Sequence, residues 1–181
     1  MDEVGRGSWA GPLVLSAVIL QKDKKPYKIR DSKTISEKIR EKIFPTILNC
    51  VLDYSLGEVS AREIDEFGLS RALKLAAKRT LESLRILPDI ILLDGKWNFI
   101  EEDIEVKTII KGDSKSVSIA GASVVAKVTR DRLLTICHQK YPLYNFLRNK
   151  GYGTMEHRRA IKKYGLTKLH RKSYKINGIK K

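Results

Sequence analysis

Cysteine and histidine are scarce in this sequence of 181 residues, which contains two cysteines and three histidines. Cys50 and Cys137 form no CxxC pair, which argues against a thiolate metal site and favours a reducing environment. The histidines are too scattered in the sequence for a zinc motif. We therefore expect a cytoplasmic protein in which any metal is held by oxygen ligands.

Long apolar runs and a secretion signal are also missing. The longest apolar run, Leu13 to Leu20, is too short to span a bilayer and contains Ser16. The acidic N-terminus lacks a signal-peptide pattern. No Ser-His or Cys-His constellation suggests a protein nucleophile. We expect a protein without a membrane partner whose chemistry, if it has one, does not pass through a covalent intermediate.

Positive charge, in contrast, is abundant and unevenly distributed. Lys and Arg number 36 against 21 Asp and Glu, which gives a formal net charge of +15. Residues 148–181 hold twelve of these basic residues and a single acidic one, Glu156. Tyrosines 152, 164 and 174 alternate with them, which favours shaped contact with a polyanion over a solvated tail. We predict a nucleic acid as the partner.

The hydrophobic pattern predicts an α/β layer structure with a mixed central sheet. Two T/S-x-x-E patterns, Thr34 with Glu37 and Ser60 with Glu63, predict capping boxes at the starts of helices. We expect one catalytic domain over residues 1–147 and a basic C-terminal segment over residues 148–181 packed on it. The predicted strands are 13–20, 51–59, 90–93 and 106–110, and the clearest predicted helices are 118–137 and 154–164.

Two adjacent acids, Asp2 and Glu3, run directly into Gly5-Arg6-Gly7. Adjacent carboxylates repel each other, so a fold rarely places them together without a cation. Glycines expose backbone N–H groups and the arginine adds a fixed positive charge, and both suit a phosphate. The pattern indicates a hard divalent metal between carboxylates and phosphate. Taken alone, it is also compatible with a disordered acidic terminus.

Further acids stand at positions where a fold can bring them to the same place. Asp94 follows a buried apolar strand, and sites in open α/β sheets form at such strand ends. Asp131 lies in the long helix beside a small-residue face, although its flanking arginines could simply pair with it. Four acids (2, 3, 94 and 131) would hold two divalent ions, Mg²⁺ or Mn²⁺. Asp113, in a turn-like context, is the alternative fourth acid, and we favour Asp131.

These motifs resemble those of the type 2 ribonucleases H, the ribonuclease HII family. The resemblance extends in order over nearly the whole chain, and the set is far more specific than any one motif. The matching segments are Asp2-Glu3-Val4-Gly5-Arg6-Gly7 with Ala10-Gly11-Pro12, Asp31-Ser32-Lys33, Leu92-Leu93-Asp94-Gly95, Lys111-Gly112-Asp113, Ser118-Ile119-Ala120-Gly121-Ala122-Ser123, Ala126-Lys127-Val128-Thr129-Arg130-Asp131, Gly151-Tyr152-Gly153-Thr154 and His170-Arg171-Lys172-Ser173.

The resemblance implies a ribonuclease H-like fold, with a five-stranded mixed sheet flanked by helices and a small basic helical C-terminal appendage. It implies a monomeric endonuclease that hydrolyses the RNA strand of RNA–DNA hybrids. It also implies cleavage on the 5′ side of ribonucleotides embedded in duplex DNA, by a two-metal mechanism that leaves 3′-hydroxyl and 5′-phosphate ends.

Roles for individual residues follow from the same resemblance. The metal-binding and catalytic acids would be Asp2, Glu3, Asp94 and Asp131. The 2′-hydroxyl beside the scissile phosphate would be read by Gly5, Arg6 and Gly7, and Tyr152 would pack against the sugar of the next nucleotide. The phosphate or backbone contacts would be Lys33, Ser123, Lys127 and Arg171.

Two other classes of protein fit parts of the sequence. A basic RNA-binding protein without catalytic activity would need the charge but not the ordered acids. A different nuclease or transposase of the same fold would cut plain DNA. A duplex with one ribonucleotide in one strand discriminates all three. The family usually has several residues before the acidic pair where this sequence has Met1, so either residues lie upstream or the first strand is shorter.

Overall fold

A computed structural model describes residues 1–24 and 35–176 of the chain. Its strands are β1 (Asp2–Val4), β2 (Leu13–Leu20), β3 (Val51–Val59), β4 (Ile90–Asp94) and β5 (Glu105–Ile109). Its helices are α1 (Glu37–Leu48), α2 (Ala61–Glu82), α3 (Gly112–Lys115), α4 (Val117–Lys140), α5 (Phe146–Asn149) and α6 (Met155–Tyr164), with a 3₁₀ turn at Pro142–Tyr144. Within the described ranges, no helix is both long and apolar enough to cross a membrane.

The strands form two hydrogen-bonded ladders. β1, β2 and β3 make an antiparallel sheet in that order, with Glu3 opposite Leu15 and Leu15 opposite Gly57. β4 and β5 form a parallel pair, with Asp94 opposite Ile109. The predicted mixture of parallel and antiparallel pairing is therefore present, but as two ladders.

Met1 joins the two ladders. Its amino group donates to the Leu92 carbonyl across 2.5 Å, and its carbonyl accepts from the Asp94 N–H across 3.0 Å. These two bonds are the pattern of a parallel bridge opposite Leu93. β1 therefore lies beside β4, which places the Asp2–Glu3 pair next to the carboxyl end of β4.

Helices cover both faces of the sheet. One cluster of buried side chains, including Leu13, Leu15 and Leu93, packs against α2 through residues such as Ala76. A second cluster packs small residues of α4, such as Ala122, against the opposite face with help from α1. In β4, Ile91 and Leu93 are buried, whereas Ile90 is exposed and Leu92 half-buried, so only one face of this apolar strand is fully covered, and the expectation of a strand buried on both faces is wrong.

A third cluster ties the C-terminal part of the chain to the residues after β1. Ala10 packs with Phe146 and Ile161, and its backbone pairs with His170 as an isolated antiparallel bridge. Two backbone hydrogen bonds, from the Gly11 N–H to the Leu169 carbonyl and from the Arg171 N–H to the Trp9 carbonyl, flank that bridge. The early loop and the last described residues are thus one structural unit.

Local signals for helix starts were partly correct. The predicted capping box at Ser60 and Glu63 is present, with both reciprocal hydrogen bonds. Thr34, the N-cap of the other predicted box, lies outside the described residues; α1 begins at Glu37, and its N-cap is Ser36, which accepts from the Ile39 N–H. A serine directly before the first helical residue satisfies the same free N–H groups that the predicted box would have satisfied.

Candidate active site

The Gly5–Gly7 loop leaves the end of β1 in a conformation that needs glycine. Gly5 has φ of +93°, and a Cβ atom there would lie 2.4 Å from Arg130 Nε. A Cβ on Gly7 would meet no atom within 4 Å, so that side of the loop is open. Gly5 thus fits the loop against the protein, and Gly7 leaves its backbone accessible from outside.

Arg130, on α4, supports the loop from beneath and has no exposed surface. Its guanidinium donates to the Pro12 carbonyl and to Ser8 Oγ, each across 2.8 Å, and to the Ala10 carbonyl across 3.0 Å. A further bond to the Lys150 carbonyl, 2.8 Å long, joins the loop to the turn before α6. Burial lowers the pKa of Arg130 to about 10, which leaves it charged at neutral pH.

Arg171 supports the same loop from the C-terminal side and is also fully buried. Its guanidinium donates to the Gly11 carbonyl across 3.0 Å and to the Arg6 carbonyl across 2.9 Å. The Tyr174 hydroxyl donates to the same Arg6 carbonyl across 2.6 Å. The sequence assigned Arg171 to a phosphate or backbone contact with the substrate, but its hydrogen bonds go to protein carbonyls and it has no surface to offer a phosphate.

Three of the four candidate acids lie where β1 meets β4: Asp2 and Glu3 follow Met1, and Asp94 donates its N–H to the Met1 carbonyl. Burial lowers the pKa of the Met1 amino group to about 6, and the negative charges of these three acids oppose the lowering. Asp2 is buried and accepts from the Glu3 N–H across 2.8 Å. Asp94 accepts from the Gly112 N–H across 2.7 Å. Glu3 accepts from Arg6 across 3.2 Å through Oε1.

The fourth candidate, Asp131, is buried and bound by basic side chains. Lys127, one turn earlier on α4, donates to Asp131 Oδ1 across 2.6 Å, and Arg40 Nη2 lies 3.8 Å from Oδ2. The flanking arginines that could have paired with Asp131 bind elsewhere: Arg130 to the loop and Arg132 to Glu41. Residues one position apart on a helix point in different directions, whereas residues four apart share a face.

Asp113, the alternative fourth acid, is also buried, in the short helix α3. The preceding residue, Gly112, is the one whose N–H binds Asp94. A Cβ on Gly112 would lie 3.2 Å from Asp94 Oδ1, so glycine permits this close approach. Asp113 therefore follows directly a residue in contact with Asp94.

The donor chemistry of these acids fits a divalent metal. Glu3 Oε2 is buried and has no hydrogen-bond partner, which leaves one carboxylate oxygen available. In the part of the chain that the structure describes, no group of three or more His, Cys, Asp or Glu side chains stands ready to hold an ion. Mg²⁺ usually binds through one or two carboxylates together with water and substrate phosphate, so it does not need such a cage.

A cleft opens beside the Gly5–Gly7 loop, and we call it the Tyr152 cleft. Its volume is ≈ 340 Å³. It brings together seven residues that the sequence had proposed for the site, with two others. Its lining residues are Glu3, Val4, Gly5, Arg6, Gly7, Arg40, Ser123, Lys127 and Tyr152.

Two cations lie near the ring of Tyr152. The Lys127 ammonium lies 6.0 Å from the ring centroid and the Arg130 guanidinium carbon lies 5.4 Å from it. Lys33, the remaining predicted contact, lies outside the described residues. The sequence reasoning missed Arg40, because nothing in the α1 pattern distinguishes it from a solvated charge, and it missed Arg130, because its acceptors are distant in sequence.

The chain is similar to known proteins over nearly its whole length. A family model described as ribonuclease HII matches residues 1–177. The chain is 46% identical over 180 residues to the ribonuclease HII of Syntrophus aciditrophicus, covering 99% of this chain and 84% of that one. Among solved structures, the ribonuclease H2 of Pyrococcus horikoshii is similar with a TM-score of 0.77 and 29% identity, covering 96% of this chain and 91% of the other. The Archaeoglobus fulgidus ribonuclease HII, solved in complex with PCNA, shares the fold, with a TM-score of 0.79 and 23% identity over 99% of this chain and 95% of the other.

Proposed function

The chain belongs to the ribonuclease HII family, and on that premise we propose how the Tyr152 cleft cleaves RNA that is paired with DNA. The protein is a metal-dependent endoribonuclease that acts on RNA–DNA hybrids. The observation that carries the assignment of the site is the position of the Gly5–Gly7 loop. Two buried arginines hold it, it follows the Asp2–Glu3 pair directly, and it shares a cleft with Tyr152.

The metal-binding residues proposed here are the acids where β1 meets β4: Asp2, Glu3 and Asp94. When bound, two divalent ions, Mg²⁺ or Mn²⁺, would activate a water for in-line attack and neutralise the leaving 3′-oxygen. Without the ions, these carboxylates would repel a substrate phosphate, so the ions would also allow the phosphate to bind beside them. The free oxygen of Glu3 and the hydrogen bond from Gly112 to Asp94 support these roles.

For the fourth acid, the geometry favours Asp113 over Asp131. Asp131 is already neutralised by Lys127 across 2.6 Å and lies near Arg40. A metal ion at Asp131 would have to displace an ammonium group. Asp113 directly follows the residue that binds Asp94. We therefore propose Asp113 as the fourth carboxylate, in place of the Asp131 that the sequence favoured.

The Gly5–Gly7 loop would recognise the ribose. A 2′-hydroxyl is the group that separates RNA from DNA at a given site. The open side of Gly7 allows a sugar to approach the backbone, where a side chain would keep it at a distance. Tyr152, which lines the same cleft as the loop, would pack against the sugar of the next nucleotide. Recognition would therefore depend on the spacing between these two elements.

Basic side chains at the cleft would bind phosphates without reading bases. Arg6 is half-exposed, Lys127 partly exposed, and both line the Tyr152 cleft with Ser123. Arg40 adds a cation that the sequence did not identify. Cleavage on the 5′ side of an embedded ribonucleotide, with 3′-hydroxyl and 5′-phosphate products, is part of the proposal. We also propose that the protein acts as a monomer in the cytoplasm.

One experiment tests the function and the site together. The substrates are an RNA–DNA hybrid, a DNA duplex with one ribonucleotide in one strand, and the same duplex in all-DNA form. With Mg²⁺ or Mn²⁺ we expect cleavage of the first two only, and analysis of the ends identifies the cut position. Cleavage of the all-DNA duplex would favour a different nuclease of this fold, and binding without cleavage would favour a simple RNA-binding protein.

The Asp94→Asn variant tests whether Asp94 is a catalytic residue. The amide keeps the size of the side chain but removes its charge, so cleavage should nearly disappear while hybrid binding remains. Asp103→Asn is the matched control, because Asp103 is exposed on the loop between β4 and β5. Full activity in Asp94→Asn would remove Asp94 from the catalytic residues.

A further inference from the structure

Two histidines form a buried pair behind the Tyr152 cleft. His157, on α6, has no exposed surface, and His170, in the segment after α6, is 1% exposed. Their Nε2 atoms lie 3.0 Å apart. Neither residue lines the Tyr152 cleft, and neither belongs to the set of acids proposed to bind metal.

The partners of the outer nitrogens determine the protonation of the pair. His157 Nδ1 lies 2.8 Å from the Tyr152 carbonyl, which can only accept, so Nδ1 carries the proton. His170 Nδ1 accepts from the Thr167 N–H across 2.9 Å, so its proton is on Nε2. The bond between the rings therefore runs from His170 Nε2–H to His157 Nε2. Both rings are neutral, and each ring nitrogen has a partner.

The surroundings keep the pair neutral. The rings of Trp9, Tyr144 and Phe146 all lie within 5.8 Å of one or both imidazoles, measured between ring centroids. Burial lowers the pKa of His157 and lowers that of His170 to about 4. At neutral pH the direction of the hydrogen bonds is therefore fixed, because neither ring gains a second proton.

The pair connects the two sides of the Tyr152 cleft. On one side, the Tyr152 carbonyl accepts from His157 and from the Thr154 N–H, each across 2.8 Å. On the other, the residue after His170 is Arg171, which holds the Arg6 carbonyl of the loop. One path of contacts from the Gly5–Gly7 loop to Tyr152 thus passes through both imidazoles, beside the direct bonds from the Trp9 and Ala10 N–H groups to the Gly151 carbonyl.

We propose that His157 is a positioning residue for cleavage: its Nδ1–H holds the Tyr152 carbonyl and, together with the backbone bonds to the Gly151 carbonyl, sets the distance between Tyr152 and the Gly5–Gly7 loop. This inference rests on the proposed function, because the spacing matters only if a ribose binds between the two elements. His157 itself does not touch the substrate. It acts through Tyr152, and His170 orients it by donating to its other nitrogen.

Two substitutions at one position separate this role from simple packing. Asparagine places an amide N–H near the position of Nδ1, so His157→Asn can keep the bond to Tyr152. Glutamine reaches the position of Nε2, so His157→Gln can keep the bond to His170 but loses Tyr152. On the single-ribonucleotide duplex, we expect kcat/KM of His157→Gln to be about one tenth of that of His157→Asn. This ratio corresponds to a difference of ~1.4 kcal/mol in transition-state stabilisation. His138→Gln, which alters a histidine outside the pair, is the control.

A double-mutant cycle with Tyr152→Ala tests whether His157 acts through Tyr152. In that background, His157→Gln should cause no further loss of kcat/KM, because the group that it positions is already gone. A purely structural role would instead give additive losses, and that result would overturn the proposal. Thermal unfolding of each variant shows that the compared proteins are equally folded at the assay temperature.

The outcomes also separate this proposal from the proposed function. A wild-type protein that does not cleave either ribonucleotide substrate refutes the function. An active wild type in which His157→Gln and His157→Asn lose kcat/KM equally refutes the role of His157 alone. Nitrogen NMR of the wild type supplies an independent check, since a proton on Nδ1 of His170 or on Nε2 of His157 at neutral pH would contradict the assigned hydrogen bonds.

Discussion

Lys127 and Asp131 form an ion pair one turn apart on α4, with 2.6 Å between ammonium and carboxylate, at the edge of the Tyr152 cleft. The carboxylate is buried and the lysine is partly exposed. Asp131 is thereby neutralised within the protein, and the lysine is fixed close to the ring of Tyr152. This ion pair is the reason why we propose Asp113, and not Asp131, as the fourth metal-binding acid.

Asparagine at Asp113 and asparagine at Asp131 should affect different properties: Mn²⁺ binding in the first case and stability in the second. Asp113→Asn should weaken Mn²⁺ binding, measured by calorimetry, by about tenfold or more, because a charged ligand is lost. Asp131→Asn should leave Mn²⁺ binding almost unchanged and lower the free energy of unfolding by about 1–3 kcal/mol, because Lys127 loses its partner. Weaker Mn²⁺ binding in Asp131→Asn alone would restore Asp131 as the ligand.

Replacement of Arg130 should lower the free energy of unfolding more than replacement of most other residues of α4. Arg130→Met leaves the Pro12, Ala10 and Lys150 carbonyls without this donor. We therefore expect the free energy of unfolding, measured with urea, to fall by more than about 3 kcal/mol. Arg132→Met is the matched control. Its pair with Glu41 is exposed and should contribute less than about 1 kcal/mol. Equal losses in the two variants would contradict the supporting role of Arg130.

The two glycines of the Gly5–Gly7 loop should respond differently to alanine. Gly7→Ala should fold like the wild type, because a Cβ there meets no atom within 4 Å, but it should lower cleavage of the single-ribonucleotide duplex by blocking the sugar. Gly5→Ala should lower stability, since its φ of +93° disfavours a side chain and the Cβ would meet Arg130. Unfolding and cleavage are measured on both variants. Wild-type cleavage by Gly7→Ala would exclude close approach of the ribose.

The histidine pair predicts a loss of stability in mild acid. The pKa of His170 is lowered by burial from 6.5 to about 4 in the folded protein, so the unfolded chain binds more protons between these values. Its contribution to stability is therefore complete above pH 6.5 and is lost as the pH falls towards 4. The loss is at most about 1.4 kcal/mol per pH unit for each histidine.

Urea unfolding across that pH window measures this slope. His170→Gln should flatten it, because the group that takes up the proton on unfolding is gone, whereas His138→Gln should keep it. A slope that is the same in His170→Gln and in the wild type would assign the acid sensitivity to other groups.

Features decided by neighbours in sequence could be predicted. The strands Leu13–Leu20 and Val51–Val59 have the predicted bounds, and the capping box at Ser60 depends only on residues 60 to 63. The N-cap of α1 is Ser36, and the sequence does not decide between Thr34 and Ser36, because both residue types can serve as N-caps. Similarly, the alternation of apolar residues predicts strands but not the single bridge at Met1 that joins the two ladders.

Features decided by distant contacts could not be predicted. The acceptors of Arg130 lie more than a hundred residues before it, at Ser8, Ala10 and Pro12. Arg171, predicted as a contact to the substrate, is instead buried beneath the loop, because its acceptor, the Arg6 carbonyl, is also distant in sequence. The partner of Asp131 could have been found, since Lys127 stands four residues earlier, where helix geometry places it on the same face.

The hydrogen bond from Arg171 to the Arg6 carbonyl has a consequence for the protein during its synthesis. The loop at the beginning of the chain gains its shape only when residues near the other end have been translated and have paired with it. A growing polypeptide on the ribosome therefore lacks this support for the Gly5–Gly7 loop until Arg171 has emerged and paired with it.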